Sequence, residues 1–482
     1  MMKAGRHCWH WLRSRSALLA AWFLTLPLHR LAAEPQDPPD FRGVHKIPPS
    51  GVEAAPPRSW EMGIFDIGML VLALSLATWM IHKTRSRRGL FWLSVASLGY
   101  FGFVRQGCVC AIGSIQDVTI GYALGNGVPL VIAAYFFVPL LFSALFGRSY
   151  CAAVCPQGAI QDLVIVKPIE VPRWLEHVLG LLPFIYLGLS VLLAATLSAK
   201  IICDYDPFIS FFRLDGHPAQ HALGAVFLGM GMFIGRPYCR YMCPYGVLLR
   251  IFSYVSKWNV KIYPDRCIDC TLCDDSCPFG AIDKTTPQNQ GLHPKEGKAR
   301  LVAALVALPV LIGGLGWLSA QMTKPLAMSH EKVRVAFQME EELLVANLLT
   351  KNSDSMDEWA VSPEFQQWRD KGMVTGDAEQ GAKRVISEST ETLYDDGVPP
   401  EEVFADAQKV LNQFHTGLWW FGAFIGLVVG IKLVSLCIRR KRLEYEANRG
   451  SCYSCGRCYD YCPGSNGIPV QFETGGHIRP QA

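Results

Sequence analysis

The sequence predicts an α-helical polytopic membrane protein with an internal repeat, joined to an α+β bacterial two-cluster 4Fe-4S ferredoxin domain that is split by a transmembrane hairpin. Three observations predict this class. Seven apolar runs each approach the roughly 20 residues that span a bilayer, at about 62–81, 89–105, 128–146, 177–199, 219–235, 299–320 and 417–438. Two four-cysteine runs share one spacing. A shorter motif, GRSYCAAVCPQG at 147–158, returns as GRPYCRYMCPYG at 235–246. Half of the 482 residues are hydrophobic and 17 are cysteine, a mixture foreign to both water-soluble enzymes and simple lipid-embedded transporters. Most cysteines stand in short, regular groups flanked by Lys and Arg, which argues for ligands in a reducing compartment. The net charge is +4 and no basic stripe carries interleaved aromatics, so nucleic acid is not an expected partner.

Taken in order, residues 1–33 place Arg6, Arg13 and Arg15 before an apolar stretch from Ala17 to Leu28. They read as a signal peptide or, because Leu31 stands where cleavage prefers a small residue, as an uncleaved anchor. Residues 34–60 form an external Pro-rich linker. A five-span core follows over 61–260. Orientation comes from the flanks: HKTRSRR at 82–88, Arg148, Lys167, Arg173, Arg236, Arg240, Lys298, Arg300 and RRKR at 439–442 all fall on one side if the first run goes inward. That side is the cytoplasm of a bacterial inner membrane. Residues 321–416 lack cysteine, carry far more Asp and Glu than Lys and Arg, and show helical spacing in EKVRVAFQMEEELLVANLL. They form an external helical domain between spans 299–320 and 417–438.

The two long motifs are CIDCTLCDDSCP, with Cys267, Cys270, Cys273 and Cys277, and CYSCGRCYDYCP, with Cys452, Cys455, Cys458 and Cys462. Each is the Cys-x2-Cys-x2-Cys-x3-Cys-Pro run of bacterial 4Fe-4S ferredoxins. Structural zinc more often uses two separated cysteine pairs. In two-cluster ferredoxins the fourth cysteine of each run ligates the other cluster. Cys462 then joins Cys267, Cys270 and Cys273, while Cys277 joins Cys452, Cys455 and Cys458. The halves at 261–298 and 439–482 must therefore meet, which the charge-derived topology also requires.

Cys151, Cys155, Cys239 and Cys243 lie at one depth in the two copies of the short motif. Four such thiols could hold a further Fe-S cluster or another metal, or act as a dithiol couple. Alternatively, Gly, Arg, Cys and Pro merely shape a turn. With CDYDPF at 203–208 and the ferredoxin runs, these motifs resemble the NosR/NapH-type membrane-bound polyferredoxins, over roughly residues 60–300 and the tail from about 440. The resemblance implies electron transfer between the quinone pool or a cytoplasmic donor and an external acceptor. Members similar to the nitrous oxide reductase maturation factor carry covalent FMN on a Ser/Thr-Gly-Ala-Ser/Thr motif. That motif is missing here, so covalent FMN is not expected, and a separate external flavoprotein or metalloenzyme is the expected partner.

About 30 Å of hydrocarbon separates cytoplasmic clusters from anything outside, so an outer station is needed. Cys108, Cys110 and Cys203 are the candidates, with Asp204 or Asp206, for a cluster or copper. A disulfide between Cys203 and one of the pair is the alternative. Mid-membrane histidine pairs and Cys-x-x-Cys-His are absent from the sequence, leaving at most an outer haem on His221 and His415. Asp66 is an intramembrane carboxylate, fit for a quinone site or, one turn from the outer end, simply hydrated. The reading is one-electron relay across the membrane. A Cu(II) reductase and a redox-sensing assembly factor are the alternatives.

Overall fold

The computed structural model describes residues 59–107, 110–125, 127–169, 171–214, 218–260, 262, 270–285, 294–351, 399–438, 442 and 445–462. Cys108, Cys267, the leader and most of the linker lie outside these, as does 352–398 of the predicted external domain. The described chain divides into two compact units. One takes the chain up to Ala195, Lys200–Leu308 and Val428 onward; the other takes Thr196–Ala199 and Pro309–Leu427.

The first unit opens with α1 (Trp60–Trp79), continued by a π turn at Met80–Thr84, and α2 (Arg87–Ser97), continued by a π segment at Leu98–Val104. Helix α3 (Ser114–Leu124) and the apolar α4 (Leu130–Phe146) follow. Two short helices come next, α5 (Ser149–Ala153) and α6 (Pro156–Leu163), then α7 (Leu182–Ala195). Helix α8 (Pro218–Gly231) leads to the second copy of the motif, which gives α9 (Pro237–Tyr241) and starts α10 (Pro244–Tyr254). Helix α10 packs on α4 and α7. The Ser143 hydroxyl donates to the Leu249 carbonyl at 2.9 Å, and the Tyr245 hydroxyl to that of Phe136 at 2.6 Å.

Four helices among the described residues are long and apolar enough to cross a membrane, Trp60–Thr84, Trp174–Ala195, Lys298–Ala320 and Glu401–Cys437, and Leu130–Phe146 is a shorter apolar helix. The runs at 89–105 and 219–235 are not in that set. The first follows Arg87 and Arg88 and passes into a π segment; the second is a helix of only 14 residues, Pro218–Gly231.

One expectation is corrected here. Asp66 is not hydrated: it is 1% exposed, with the Arg105 guanidinium 2.7 Å from one oxygen and the Tyr100 hydroxyl donating to the other at 2.7 Å. The physical reason is that the π segment brings Tyr100, and Arg105 just beyond it, against α1.

Small residues set the approach of α12 (Pro294–Ala320) and α14 (Pro400–Cys437); between them in sequence lies α13 (Glu331–Lys351). In the second unit a Cβ on Gly422 or Gly426 would strike the carbonyl of Leu315 or Leu311, and Ser319 donates to the Leu418 carbonyl at 2.6 Å. In the first unit Gly430 abuts Leu308. These contacts pair rising with falling residue numbers, so the helices run antiparallel, with glycines every fourth residue permitting the close approach.

The cysteine-rich segments contain α11 (Leu272–Asp275), β1 (Ile282–Asp283), β2 (Glu446–Ala447) and α15 (Arg457–Tyr461). Strands β1 and β2 pair antiparallel, Ile282 opposite Ala447 and Asp283 opposite Glu446. The Asn448 amide donates to the Ala281 carbonyl at 2.8 Å, and Arg442 pairs with Asp283 at 2.6 Å. Helices α11 and α15 are also in contact. Segments more than 160 residues apart in sequence thus share a sheet and a helix contact.

Candidate metal centres

The two short motifs fold alike. In each, a short helix carries the first cysteine, and the second cysteine is the N-cap of the next helix in extended conformation, Cys155 at φ −70°, ψ 117° and Cys243 at φ −62°, ψ 111°. Pro156 and Pro244 then start α6 and α10, a first-turn position at which proline's missing N–H is no loss. The Cys243 sulfur accepts from the Gly246 amide at 3.3 Å.

The last glycine of each copy makes room for the arginine of the other. A Cβ on Gly158 would sit 3.2 Å from Arg236, and one on Gly246 would sit 3.3 Å from Arg148. Both guanidiniums are buried, at 4% and 1% exposure for Arg148 and Arg236. Arg236 pairs with Asp162 through two bonds of 2.8 and 2.6 Å and also donates to the Cys151 carbonyl. Burial alone would raise the Asp162 carboxyl, but Arg236 outweighs it and holds the group below its ordinary range. Arg148 donates to the Gly450 carbonyl at 3.3 Å and to the Cys151 sulfur at 3.7 Å, and it lies 4.2 Å over the Tyr453 ring.

This interlock brings Cys151, Cys155, Cys239 and Cys243 together, each sulfur within electrostatic range of the other three. The Gln161 side-chain amide donates to the Cys239 sulfur at 3.3 Å. Burial pushes the Cys155 thiol up to about 11 and raises Cys239 and Cys243 as well. A metal binding here would have to displace protons.

Among the ferredoxin-type cysteines, Cys277 lies within electrostatic range of Cys452, Cys455 and Cys458, which also face one another. Burial pushes Cys452 up to about 12 and raises Cys277 and Cys458. Cys273 is buried in a small apolar cluster with Ile282 and Tyr445, against which Cys277 and Cys458 pack. Cys270 and Cys462 are half-buried. Tyr453, beside Cys452, faces Cys151 and Cys239 electrostatically, and Arg236 stands 5.4 Å from its ring. Phe279 packs on Tyr453 with ring centroids 4.7 Å apart.

Cys110 and Cys203 are free thiols within electrostatic range of each other, so neither forms the alternative disulfide with a described residue. Asp206, 4% exposed, faces both; burial pushes its carboxyl up to about 6. It accepts from the Gln157 amide and from the Phe208 backbone at 2.9 Å. A small pocket is lined by Cys110, Asp206, Gln157, Tyr150 and Cys155, so it touches Cys110 and one of the four short-motif cysteines. His221 packs against Phe211.

Among the described residues no three His, Cys, Asp or Glu side chains converge closely enough to hold a single ion. A zinc ion, with Zn–S near 2.3 Å, needs such convergence. The two thiol groups, Cys151, Cys155, Cys239 and Cys243, and Cys277 with Cys452, Cys455 and Cys458, each offer the four soft sulfur donors that iron-sulfur clusters take. The interlocking glycines, the Arg236–Asp162 pair and the position of Tyr453 were missed by sequence reasoning. The repeated terminal Gly of each motif was the signal that could have found the first.

A family described as a 4Fe-4S binding domain matches residues 128–175 and 222–263, which take in both short motifs, and a second family of that description matches 260–283. The protein NirI of Paracoccus denitrificans is 33% identical over 152 residues, 29% of this chain and 22% of NirI. The regulatory protein NosR of Pseudomonas aeruginosa is 25% identical over 264 residues, 48% of this chain and 36% of NosR. The methylamine utilization ferredoxin-type protein MauN of Paracoccus denitrificans is 24% identical over 163 residues, 31% of this chain and 54% of MauN. The chain spans only part of each of these relatives. No solved structure matches it.

Proposed function

We propose that this chain, a member of the NosR/NirI-type membrane 4Fe-4S ferredoxin family, relays single electrons across the inner membrane from a quinol or cytoplasmic donor to an external flavoprotein or metalloenzyme. One ferredoxin module, cytoplasmic by the positive-inside argument, is assembled from 261–298 and 439–482, and the antiparallel helices between them return the chain to the side it left. The observation that supports this reading is that Cys277 lies within electrostatic range of Cys452, Cys455 and Cys458, as the crossed ligation of two-cluster ferredoxins requires; Cys273 is in range of Cys458 too. The β1–β2 pairing supports it. Cys267, Cys270, Cys273 and Cys462 hold the second cluster.

Bound clusters would supply one-electron storage; the protein supplies ligation, burial and local charge. Cys110, Cys203 and Asp206 form the outer station, and Cys110 lines the same pocket as Cys155 of the short motifs. The same pair of soft thiols beside a carboxylate favours a second reading, reduction of Cu(II) at the outer site. Copper-dependent electron consumption by the purified protein alone would select that reading.

The test is vectorial. Proteoliposomes with entrapped ferricyanide and an impermeant reduced viologen outside should bleach the ferricyanide, and Cys455→Ser should abolish the bleaching. Intact wild-type clusters with no bleaching would refute the conduit.

A further inference from the structure

We propose that Cys151, Cys155, Cys239 and Cys243 together ligate one further iron-sulfur cluster, shared between the two motif copies and counter-charged by Arg148. The proposal deepens the electron-relay reading and rests on it.

Each copy offers two thiols, and neither completes a four-thiolate site alone. The interlock supplies the other two. Gly158 and Gly246 leave space for the opposite copy's arginine, and the cysteine-bearing turns lie close enough for all four sulfurs to be within electrostatic range of one another. Amide donors already point at two of them, Gln161 at Cys239 and Gly246 at Cys243. Such bonds are a common support for metal-bound sulfur.

Charge makes the stronger argument. Arg236 has its carboxylate in Asp162. The corresponding residue of the second copy is Arg250, so Arg148 has no equivalent partner. Among the described residues no carboxylate pairs with it. It is 4% exposed, its Nε has no hydrogen-bond partner, and its anionic-capable neighbours are Cys151, Cys243 and Tyr453. A buried cation without a counter-charge is costly. Metal-bound thiolates supply it: four thiolates on a 2+ cubane leave a net charge of 2−, which Arg148 halves. A structural turn of neutral thiols would leave this guanidinium unexplained.

The site also has a neighbour of fitting kind. Tyr453, one residue from Cys452, stands between the two arginines and faces Cys151 and Cys239. It joins this centre to the cluster of Cys277, Cys452, Cys455 and Cys458.

The experiment is iron, acid-labile sulfide and zinc per full-length chain on anaerobically purified protein, with EPR-monitored redox titration. Wild type should hold about twelve irons, three four-iron clusters. Cys151→Ser and Cys239→Ser should each fall to about eight with both ferredoxin signals retained, which also reports that the variants fold. Arg148→Met should lose the additional signal or move its potential negative, and Arg148→Lys should restore it. About eight irons in wild type, unchanged in Cys151→Ser, would overturn the proposal while leaving the ferredoxin reading intact. One zinc per chain lost in Cys151→Ser would overturn it too. Failure of the ferredoxin reading appears separately, as missing ferredoxin signals in the wild type.

Discussion

Arg148 and Arg236 occupy the same place in the two copies of one motif, and each lies over the other copy's glycine, yet their electrostatics differ. Arg236 is locked to Asp162 by two hydrogen bonds. Arg148 meets a backbone carbonyl, a sulfur and an aromatic ring. One backbone template therefore serves two ends. The paired arginine holds the copies together, and the unpaired one leaves a positive charge aimed at the thiols.

Substitutions that treat the copies identically should expose this difference. The largest effect is expected at Arg236→Met, which strands Asp162 as a buried, unpartnered carboxylate and should cost about 3–5 kcal/mol; Arg148→Met strands no carboxylate and should cost clearly less. Thermal loss of cluster absorbance in detergent measures both, and equal losses would erase the distinction. Next come Gly158→Val and Gly246→Val. Each overpacks the interlock against an arginine of the other copy and should cost about 1–3 kcal/mol, with the two values alike because the geometry is alike. A neutral result for either would mean its arginine is free to move aside. Smaller again is Tyr453→Leu, which removes the ring both guanidiniums face, at about 0.5–2 kcal/mol, and should lower the melting temperature of wild type more than that of Arg148→Met.

The smallest effect concerns pH. Because the folded Asp162 carboxyl titrates below its ordinary range, the stability it contributes is fully present above the unfolded value of about 3.9 and is lost only as pH falls through the lower folded value. In Arg236→Met burial acts on the stranded Asp162 carboxyl and raises it, so the variant takes up a proton as pH falls and the melting difference from wild type should shrink from pH 8 to pH 5. A difference that does not change across that window would contradict the pairing.

The iron-sulfur class and its membrane setting are legible in the sequence because both are local signals: cysteine spacing along a few residues and apolar runs of bilayer length. Relations between distant residues are less so. Asp66 reads as hydrated from its distance to the end of a run, and nothing in that count reveals that Arg105 and Tyr100 close over it. The runs at 89–105 and 219–235 look like their neighbours in hydropathy, but the first passes into a π segment at Leu98–Val104 and the second forms a helix of only 14 residues. Asp162 is an unremarked acid until the fold sets it against an arginine 74 residues away. The matching Gly158 and Gly246 were readable as a repeat, though their purpose depends on which copy each arginine crosses to. That choice is made by packing, not by spacing.

The most direct test of the account is the EPR spectrum of dithionite-reduced Cys277→Ser, compared with Cys270→Ser and Cys455→Ser as references for the two ferredoxin clusters. Cys277 follows Cys270 in sequence but lies within electrostatic range of Cys452, Cys455 and Cys458. The account predicts that Cys277→Ser reproduces the spectrum of Cys455→Ser and retains the signal lost in Cys270→Ser. If it reproduces Cys270→Ser instead, each run closes its own cluster and the module shared between 261–298 and 439–482 does not exist.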